Sequence, residues 1–462
     1  MTSAPAHSID FLARKLRDST RGHVVTAEDP EYDGMRRVFV GDVDRRPGAI
    51  ARVADADDVR QVIAVARDSG AELAVRSGGH SSLGHGTTDG GIVLDLRDLD
   101  GIEIDAAGRT AWAGAGMTAA AYTGAAGEHG LATGFGDTGS VGIGGITLGG
   151  GVGFLVRKHG LTIDSLLAAE IVTADGRIRT IDDDHDPDLF WAIRGGGGNF
   201  GVATRFLFRL HPVDEFVGGL LLLPATPEVV AGFIAAAEAA PDELSTIANV
   251  MPAPPMPFLP PEWHGRLVVM AFMAFAGRAA DADGALAPFR ALEGPVADLV
   301  RRMPYAEMYP PEDESYRPTA VARTMFIDRV DGALANTIVE RLEASDAAMR
   351  AVQLRVLGGA VARVSPEATA YAHRQSRIMV NVATFYEGPE DRPGRAGWVE
   401  DVCTALHQSD DGAYVNFLAD DGPQRIHAAY PGATWERLAA AKGRYDPGNL
   451  FRLNQNIAPA VS

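Results

Sequence analysis

The sequence predicts an α+β protein of two domains, the first of them α/β. Three observations support this. Strand and helix patterns alternate through the first hundred-odd residues, as in α/β folds. The composition turns richer in Pro and Ala beyond about residue 213. The last fifty-odd residues return to short apolar segments that read as folding back on the first domain. The expected division is residues 1–212, 213–410 and 411–462. A chain of 462 residues has room for it, at roughly 150 residues per domain.

The elements follow in order. Residues 57–67 read as a helix with Val59, Val62, Ile63 and Ala66 on one face, Asp57 as cap and Gly70 past the end. Residues 72–75 form a strand that runs into Arg76-Ser77-Gly78-Gly79-His80. Residues 92–96 read as a buried strand, and 102–104 with 110–113 as a hairpin. Residues 167–173 and 178–181 flank the turn Ala174-Asp175-Gly176-Arg177. A glycine run at 195–198 precedes Asn199-Phe200-Gly201 and a strand at 202–210. In the second domain, helices at 228–239 and 332–344 alternate with strands at 267–273, 354–356 and 378–383, around a Pro-rich loop at 252–261. The tail carries Ala413-Tyr414-Val415-Asn416-Phe417, a helix at 434–443 and Tyr445-Asp446-Pro447.

The formal charge is 42 − 61 = −19, which argues against nucleic acid and anionic membranes as partners. Cys403 is the one cysteine, so neither an internal disulfide nor a thiolate metal cluster can form. Residues 1–21 lack an apolar core of signal-peptide length, and the longest apolar stretch, 267–277, is too short to cross a bilayer. The expectation is a soluble, cytoplasmic protein, monomer or homodimer, that acts on a small molecule.

Residues 134–153 contain ten glycines in twenty positions. Such density costs conformational entropy on ordering. Apolar Phe135, Val141, Ile143, Ile146, Leu148 and Val152 lie between the glycines, where a solvated linker carries Ser and Thr. An ordered loop that lets a planar or phosphorylated ligand approach the backbone fits better. Gly134-Phe135-Gly136-Asp137-Thr138-Gly139 matches GxGxxG, but without a clean strand before it or a helix after it. No Walker A lysine pattern occurs. His80 with His85 is too small a set for a metal site, which needs three or four ligands.

Three segments carry a resemblance: Arg76-Ser77-Gly78-Gly79-His80, the run from Val141 through Gly153, and Tyr445-Asp446-Pro447-Gly448-Asn449-Leu450-Phe451. Together the chain resembles the berberine-bridge-enzyme-like FAD-linked oxidases of the vanillyl-alcohol-oxidase fold group, with particular likeness in its N-terminal half to the bacterial 6-hydroxy-D-nicotine oxidase-like branch. The resemblance implies an α/β FAD domain and a substrate domain built on an antiparallel sheet covered by helices. It implies FAD joined through His80 to the 8α carbon of the isoalloxazine. Relatives with a second link have cysteine at the place of Thr138, so a single tether is expected. Ile146 stands where relatives often have histidine. Val141 implies dioxygen access, hence an oxidase rather than a dehydrogenase. Arg76, Ser77, Gly78, Gly79, His80 and Ser81 would cradle the pyrophosphate and ring edge, with main chain from Gly142, Gly144, Gly145, Ile146 and Thr147. Gly150 and Gly153 belong to the same run. Ile171 would touch the adenine side, and Asn454 and Asn456 would line the isoalloxazine.

The family base is commonly a tyrosinate in a Tyr-x-Asn-Tyr segment. Here the segment is Tyr414-Val415-Asn416-Phe417, and as a strand it would point Tyr414 and Asn416 to one side. Tyr414 is thus the expected base or proton relay, with Asn381 on a neighbouring strand as a hydrogen-bonding partner. Phe258, Trp263, Tyr305, Tyr309, Phe326 and Phe385 are candidate pocket aromatics, most of them core. His373 reads as structural. Three activities remain open on the residues: oxidation with peroxide release, dehydrogenation with another acceptor, and ligand binding without turnover.

Overall fold

The computed structural model describes residues 6–460, except 314, 420 and 421. It is an α+β fold in which helices and strands form two sheet-based layers systems with a shared tail.

The N-terminal region opens with a four-stranded sheet of β1 (His23–Val25), β2 (Ala49–Arg52), β3 (Leu73–Arg76) and β4 (Ile92–Asp95), in the order β1-β2-β4-β3. The strands β2, β4 and β3 are parallel, and β1 is antiparallel to β2. The helix Ala56–Ser69 makes the crossover from β2 to β3 and buries Val59, Val62, Ile63 and Ala66. Its cap is Asp55, not Asp57: Asp55 accepts from the Asp58 N–H, and the helix closes on Gly70 in the left-handed region. Asp57 lies within the first turn and pairs with Arg60.

A second sheet has the order β5-β6-β10-β8-β9, all antiparallel. Its strands are β5 (Ile102–Asp105), β6 (Thr110–Gly114), β8 (Leu166–Val172), β9 (Ile178–Ile181) and β10 (Val202–Arg209). Two residues, β7 (Leu131–Ala132), pair with β11 (His211–Pro212). The glycine run between β7 and β8 holds a six-residue helix, Ile143–Leu148, that no periodicity in the sequence announced.

The second layer is one sheet of β12 (Val217–Pro224), β13 (Leu244–Pro252), β14 (Leu267–Phe275), β15 (Ala297–Asp298), β16 (Arg301–Arg302), β17 (Ala320–Ile327), β18 (Arg350–Val356) and β19 (Ile378–Phe385). The order is β15-β12-β14-β13-β18-β19-β17, antiparallel throughout, with β16 also on β12. Side chains alternate across it. Leu354, Val380 and Val382 join Phe233, Ile338 and Val402 of the covering helices Pro227–Ala239, Gly332–Glu343 and Arg392–Leu406 in one core. The intervening residues Gln353, Arg355 and Asn381 face the other way, toward the first domain.

Buried cations join the layers. Arg374 and Asp164 form a two-point pair at 2.7 and 2.8 Å, and Arg157 donates to the carbonyls of Leu357 and Ala240. The helix Ala433–Tyr445 packs on the helix Pro187–Ile193. No helix of the described residues is long and apolar enough to cross a membrane.

Candidate active site

The strand β3 ends at Arg76, and its following loop lies at the carboxyl edge of the parallel strands, where open α/β sheets take their ligands. That loop meets the glycine run backbone to backbone. A Cβ on Gly78 would stand 2.2 Å from Gly142 N, and one on Gly142 would stand 2.2 Å from Gly78 N. Only glycine permits this approach. Gly79 has a φ of +75°, which turns the chain toward His80.

Between these loops, the tail and the large sheet lies a cavity of about 440 Å³. Ser77, Gly78, Gly79, His80, Ser81, Thr138, Val141, Gly142, Gly144, Gly145 and Ile146 border it. So do Asn381, Tyr414, Asn416 and Asn454. Arg76 borders it too, but its guanidinium is held by Asp95 at 2.8 Å, both side chains buried, so its charge is matched within the protein.

Five expected residues stand away from the wall. Thr147 is buried, with its hydroxyl unpartnered among the described residues. Gly150 packs on the Tyr371 ring, and Gly153 lies so near Phe135 that a Cβ would meet its carbonyl oxygen at 1.5 Å. Ile171 sits in β8 under Gly201, and the Asn456 side-chain oxygen is buried without a partner among the described residues.

His80 stacks on Phe39 with centroids 4.2 Å apart, and its Nε2 lies 3.1 Å from Ser140 Oγ. Burial lowers its pKa to about 4, so the ring is neutral at pH 7.

The segment 413–417 is not a strand. Val415–Phe417 is a single 3-10 turn. The turn still brings Tyr414 and Asn416 together, because the Asn416 amide reaches back to the Tyr414 hydroxyl at 2.9 Å and to the Ile146 carbonyl at 3.1 Å. Gly149 makes room: a Cβ there would stand 1.9 Å from Asn416 Oδ1. Gly151 N–H donates to the same Tyr414 oxygen at 2.9 Å. Burial raises the Tyr414 pKa, while Asn416, Gly151 and the Arg355 guanidinium pull it back down.

Asn381 lies opposite Gln353, and Gln353 opposite Asn249, in one polar row across three strands. Gln353 donates to Asn249 at 2.9 Å, and the Asn381 side-chain oxygen is buried without a partner among the described residues. Arg355 donates to Asp137 at 2.6 Å and to the Val152 carbonyl at 2.9 Å.

The tail is held by a buried knot. Lys442 Nζ donates to Asp446 at 2.6 Å and to the carbonyls of Asn199 and Phe451 at 2.8 and 2.9 Å. Asp446 in turn accepts from the N–H groups of Leu450 and Phe451. Asn199 completes the knot with Ile457 N–H and the Gln455 carbonyl.

Sequence reasoning missed Phe39, Asp137, Ser140, Asn199, Glu312 and Arg355. Asp137 and Ser140, inside the first glycine run, and Asn199, beside the second, stood next to a local signal; Phe39, Glu312 and Arg355 did not. Of the suggested aromatics, none borders the cavity: Tyr305, Tyr309 and Phe326 are core, and Phe258 is 41% exposed. His373 stacks on Phe326 and bonds the Ala429 carbonyl, a structural place.

A bound FAD fits these features. Its size class matches the cavity. The glycine contacts leave main chain without side-chain cover, and the buried, unpartnered oxygens of Asn381 and Asn454 at the wall await donors. Among the described residues no three His, Cys, Asp or Glu side chains gather as a metal site.

Comparison with known proteins agrees. The family model described as "FAD binding domain" matches residues 47–182, and that described as "Berberine and berberine like" matches 413–458. The chain is 32% identical over 457 residues to (R)-6-hydroxynicotine oxidase of Paenarthrobacter nicotinovorans, covering 96% of this chain and 98% of that one. It is 30% identical to xylooligosaccharide oxidase of Thermothelomyces thermophilus, covering 90% and 88%. The crystal structure of 6-hydroxy-D-nicotine oxidase from Arthrobacter nicotinovorans superposes with a TM-score of 0.85 at 28% identity, over 96% of this chain and 99% of that one.

Proposed function

The chain belongs to the berberine-like FAD-linked oxidoreductases, and from that premise we propose that it is an oxidase of a small alcohol, amine or glycoside hydroxyl, with FAD tethered once, through His80. Dioxygen is the electron acceptor and hydrogen peroxide the product. The single observation that carries the reading is the Tyr414 hydroxyl on the cavity wall, with two N–H donors aimed at its oxygen.

Bound FAD supplies the hydride acceptor and the route of electrons to dioxygen. The chain's residues do the rest. Burial raises the Tyr414 pKa on balance, and the two donors on its phenol oxygen offset part of that rise, which places Tyr414 to take the proton from a substrate hydroxyl or amine. Asn381 cannot act as a base; its free oxygen and amide hold the substrate's polar group. Thr138 offers no thiol, which leaves His80 as the one tether. Val141 borders the cavity as a modest side chain, consistent with gas access. The named relatives oxidise a hydroxynicotine and xylooligosaccharides, which supports a hydroxyl- or amine-bearing substrate and keeps both classes in the panel.

The test has two parts. A denaturing gel viewed under ultraviolet light, with peptide mapping, should place flavin fluorescence on the His80 peptide. A panel of amines, alcohols and oligosaccharides, read by peroxide release, should yield a substrate. Anaerobic bleaching of the flavin without peroxide in air would make the protein a dehydrogenase instead. Flavin that nothing in the panel bleaches would count against turnover.

A further inference from the structure

Glu312 belongs to the second domain but ends on the glycine run of the first. One carboxylate oxygen accepts from Gly139 N–H at 2.7 Å and Ser140 N–H at 3.0 Å. The other accepts the Ser140 hydroxyl proton. A serine hydroxyl has one proton to give. With that proton on the Glu312 side, Ser140 Oγ can only accept from His80 Nε2, 3.1 Å away. The imidazole is therefore protonated on Nε2, and its lone pair is on Nδ1. Among the described residues no hydrogen bond engages Nδ1. Phe39, stacked on the ring, fixes its plane.

We propose that Glu312, acting through Ser140, sets the tautomer of His80 so that Nδ1 is the nitrogen that joins the flavin. This rests on the tether reading above. Glu312 and Ser140 are positioning residues for the coupling, and His80 is the nucleophile. In the step, the Nδ1 lone pair forms a bond to the 8α carbon and one C–H bond of that methyl breaks. The methyl carbon is oxidised and the ring system reduced by two electrons. The methyl proton and the Nε2 proton, the latter leaving toward Ser140 and Glu312, match the two protons taken up by the reduced ring. Dioxygen reoxidises it, giving hydrogen peroxide. Because Glu312 comes from the other domain, the nucleophile is set only once the two domains have docked.

Glu312→Gln is the decisive variant. Its amide oxygen stays on the two N–H groups, so its NH₂ faces Ser140 Oγ and donates to it. The hydroxyl then turns its proton to His80 Nε2, and Nδ1 becomes the protonated nitrogen. In Glu312→Ala the hydroxyl is free to turn either way. Full-length chains made under riboflavin limitation are given FAD, and the adduct on the His80 peptide is followed by mass, beside total bound flavin. Coupling should slow about tenfold or more in Glu312→Gln and less in Glu312→Ala, with FAD still bound in both. Ser140→Ala should resemble Glu312→Ala, and Ser140→Thr should restore the rate. A merely structural carboxylate would make Ala the worse substitution, so that order, or equal rates in wild type and Glu312→Gln, overturns the proposal and leaves the tether standing. A wild type whose His80 peptide stays unmodified overturns both. Should a variant bind no FAD, ¹⁵N-histidine spectra of the wild-type chain before FAD is added, with His80 assigned through His80→Asn, decide the matter: a proton on Nε2 upholds the proposal, and one on Nδ1 overturns it.

Discussion

The amide of Asn416 donates to the hydroxyl oxygen of Tyr414 at 2.9 Å, two residues back across a 3-10 turn. With Gly151 N–H as the second donor, the phenol oxygen is held as an acceptor. Removing the hydroxyl in Tyr414→Phe should slow anaerobic flavin reduction by about 10²–10⁴-fold. Asn416→Ala takes away one donor and so disfavours the phenolate. Its rate-against-pH curve for reduction should shift to higher pH than wild type, as read by stopped-flow absorbance. An unshifted curve would remove Tyr414 as the proton acceptor.

The pair Lys442–Asp446 is fully buried at 2.6 Å. Lys442→Met leaves a carboxylate in the interior with no cation beside it. Such losses cost about 3–5 kcal/mol. Urea unfolding should show this loss, together with faster proteolysis of the tail. The double variant Lys442→Met/Asp446→Leu should recover part of it, since no lone charge remains.

Acid should destabilise the fold through two stacked histidines. The rings of His159 and His211 lie 3.9 Å apart, and burial lowers their pKa values to about 3 and about 4. Lys158 adds repulsion to both, and Arg209 to His211. Both groups bind a proton more readily unfolded, near pH 6.5, than folded. Their full contribution is therefore present above pH 6.5. It is lost as pH falls from there toward 4, at up to about 1.4 kcal/mol per unit for each. Urea midpoints measured across that range should fall, and less steeply in His211→Asn, whose amide can keep the bond to Ser165.

Gly153→Ala should fail outright, as insoluble or unfolded protein. Its methyl would stand 1.5 Å from the Phe135 carbonyl oxygen, a main-chain atom that cannot move aside cheaply. Gly145→Ala is the contrast. Beyond its own helix and chain neighbours its Cβ meets nothing within 4 Å among the described residues, so its thermal unfolding should match the wild type. Equal behaviour of the two in a thermal melt would contradict the packing described here.

Much of the first domain was legible because its signals are local. The 3.6-residue spacing of Val59, Val62, Ile63 and Ala66 and the turn at 174–177 needed no tertiary knowledge. Glycines at 78, 142 and 145 and His80 stood out by density and type. The Tyr414 segment misled because alternation of two polar side chains over five residues suits a strand and a tight turn alike. Cap choice misled for a similar reason: Asp55, Asp57 and Asp58 lie close together, and only the backbone shows which one sits outside the helix. Glu312 and Arg355 could not be found at all. Each acts on a loop of the other domain, Glu312 173 positions from Gly139 and Arg355 218 from Asp137, and neither stands in a motif.

The cavity wall is assembled from distant stretches of chain: the loop after β3, the glycine run, β19, and residues 451–455. None of these stretches makes the receptacle alone, so it exists only once both sheet systems and the tail have folded together. Coenzyme loading should therefore follow folding, and protein folded without riboflavin should still take up FAD when it is supplied.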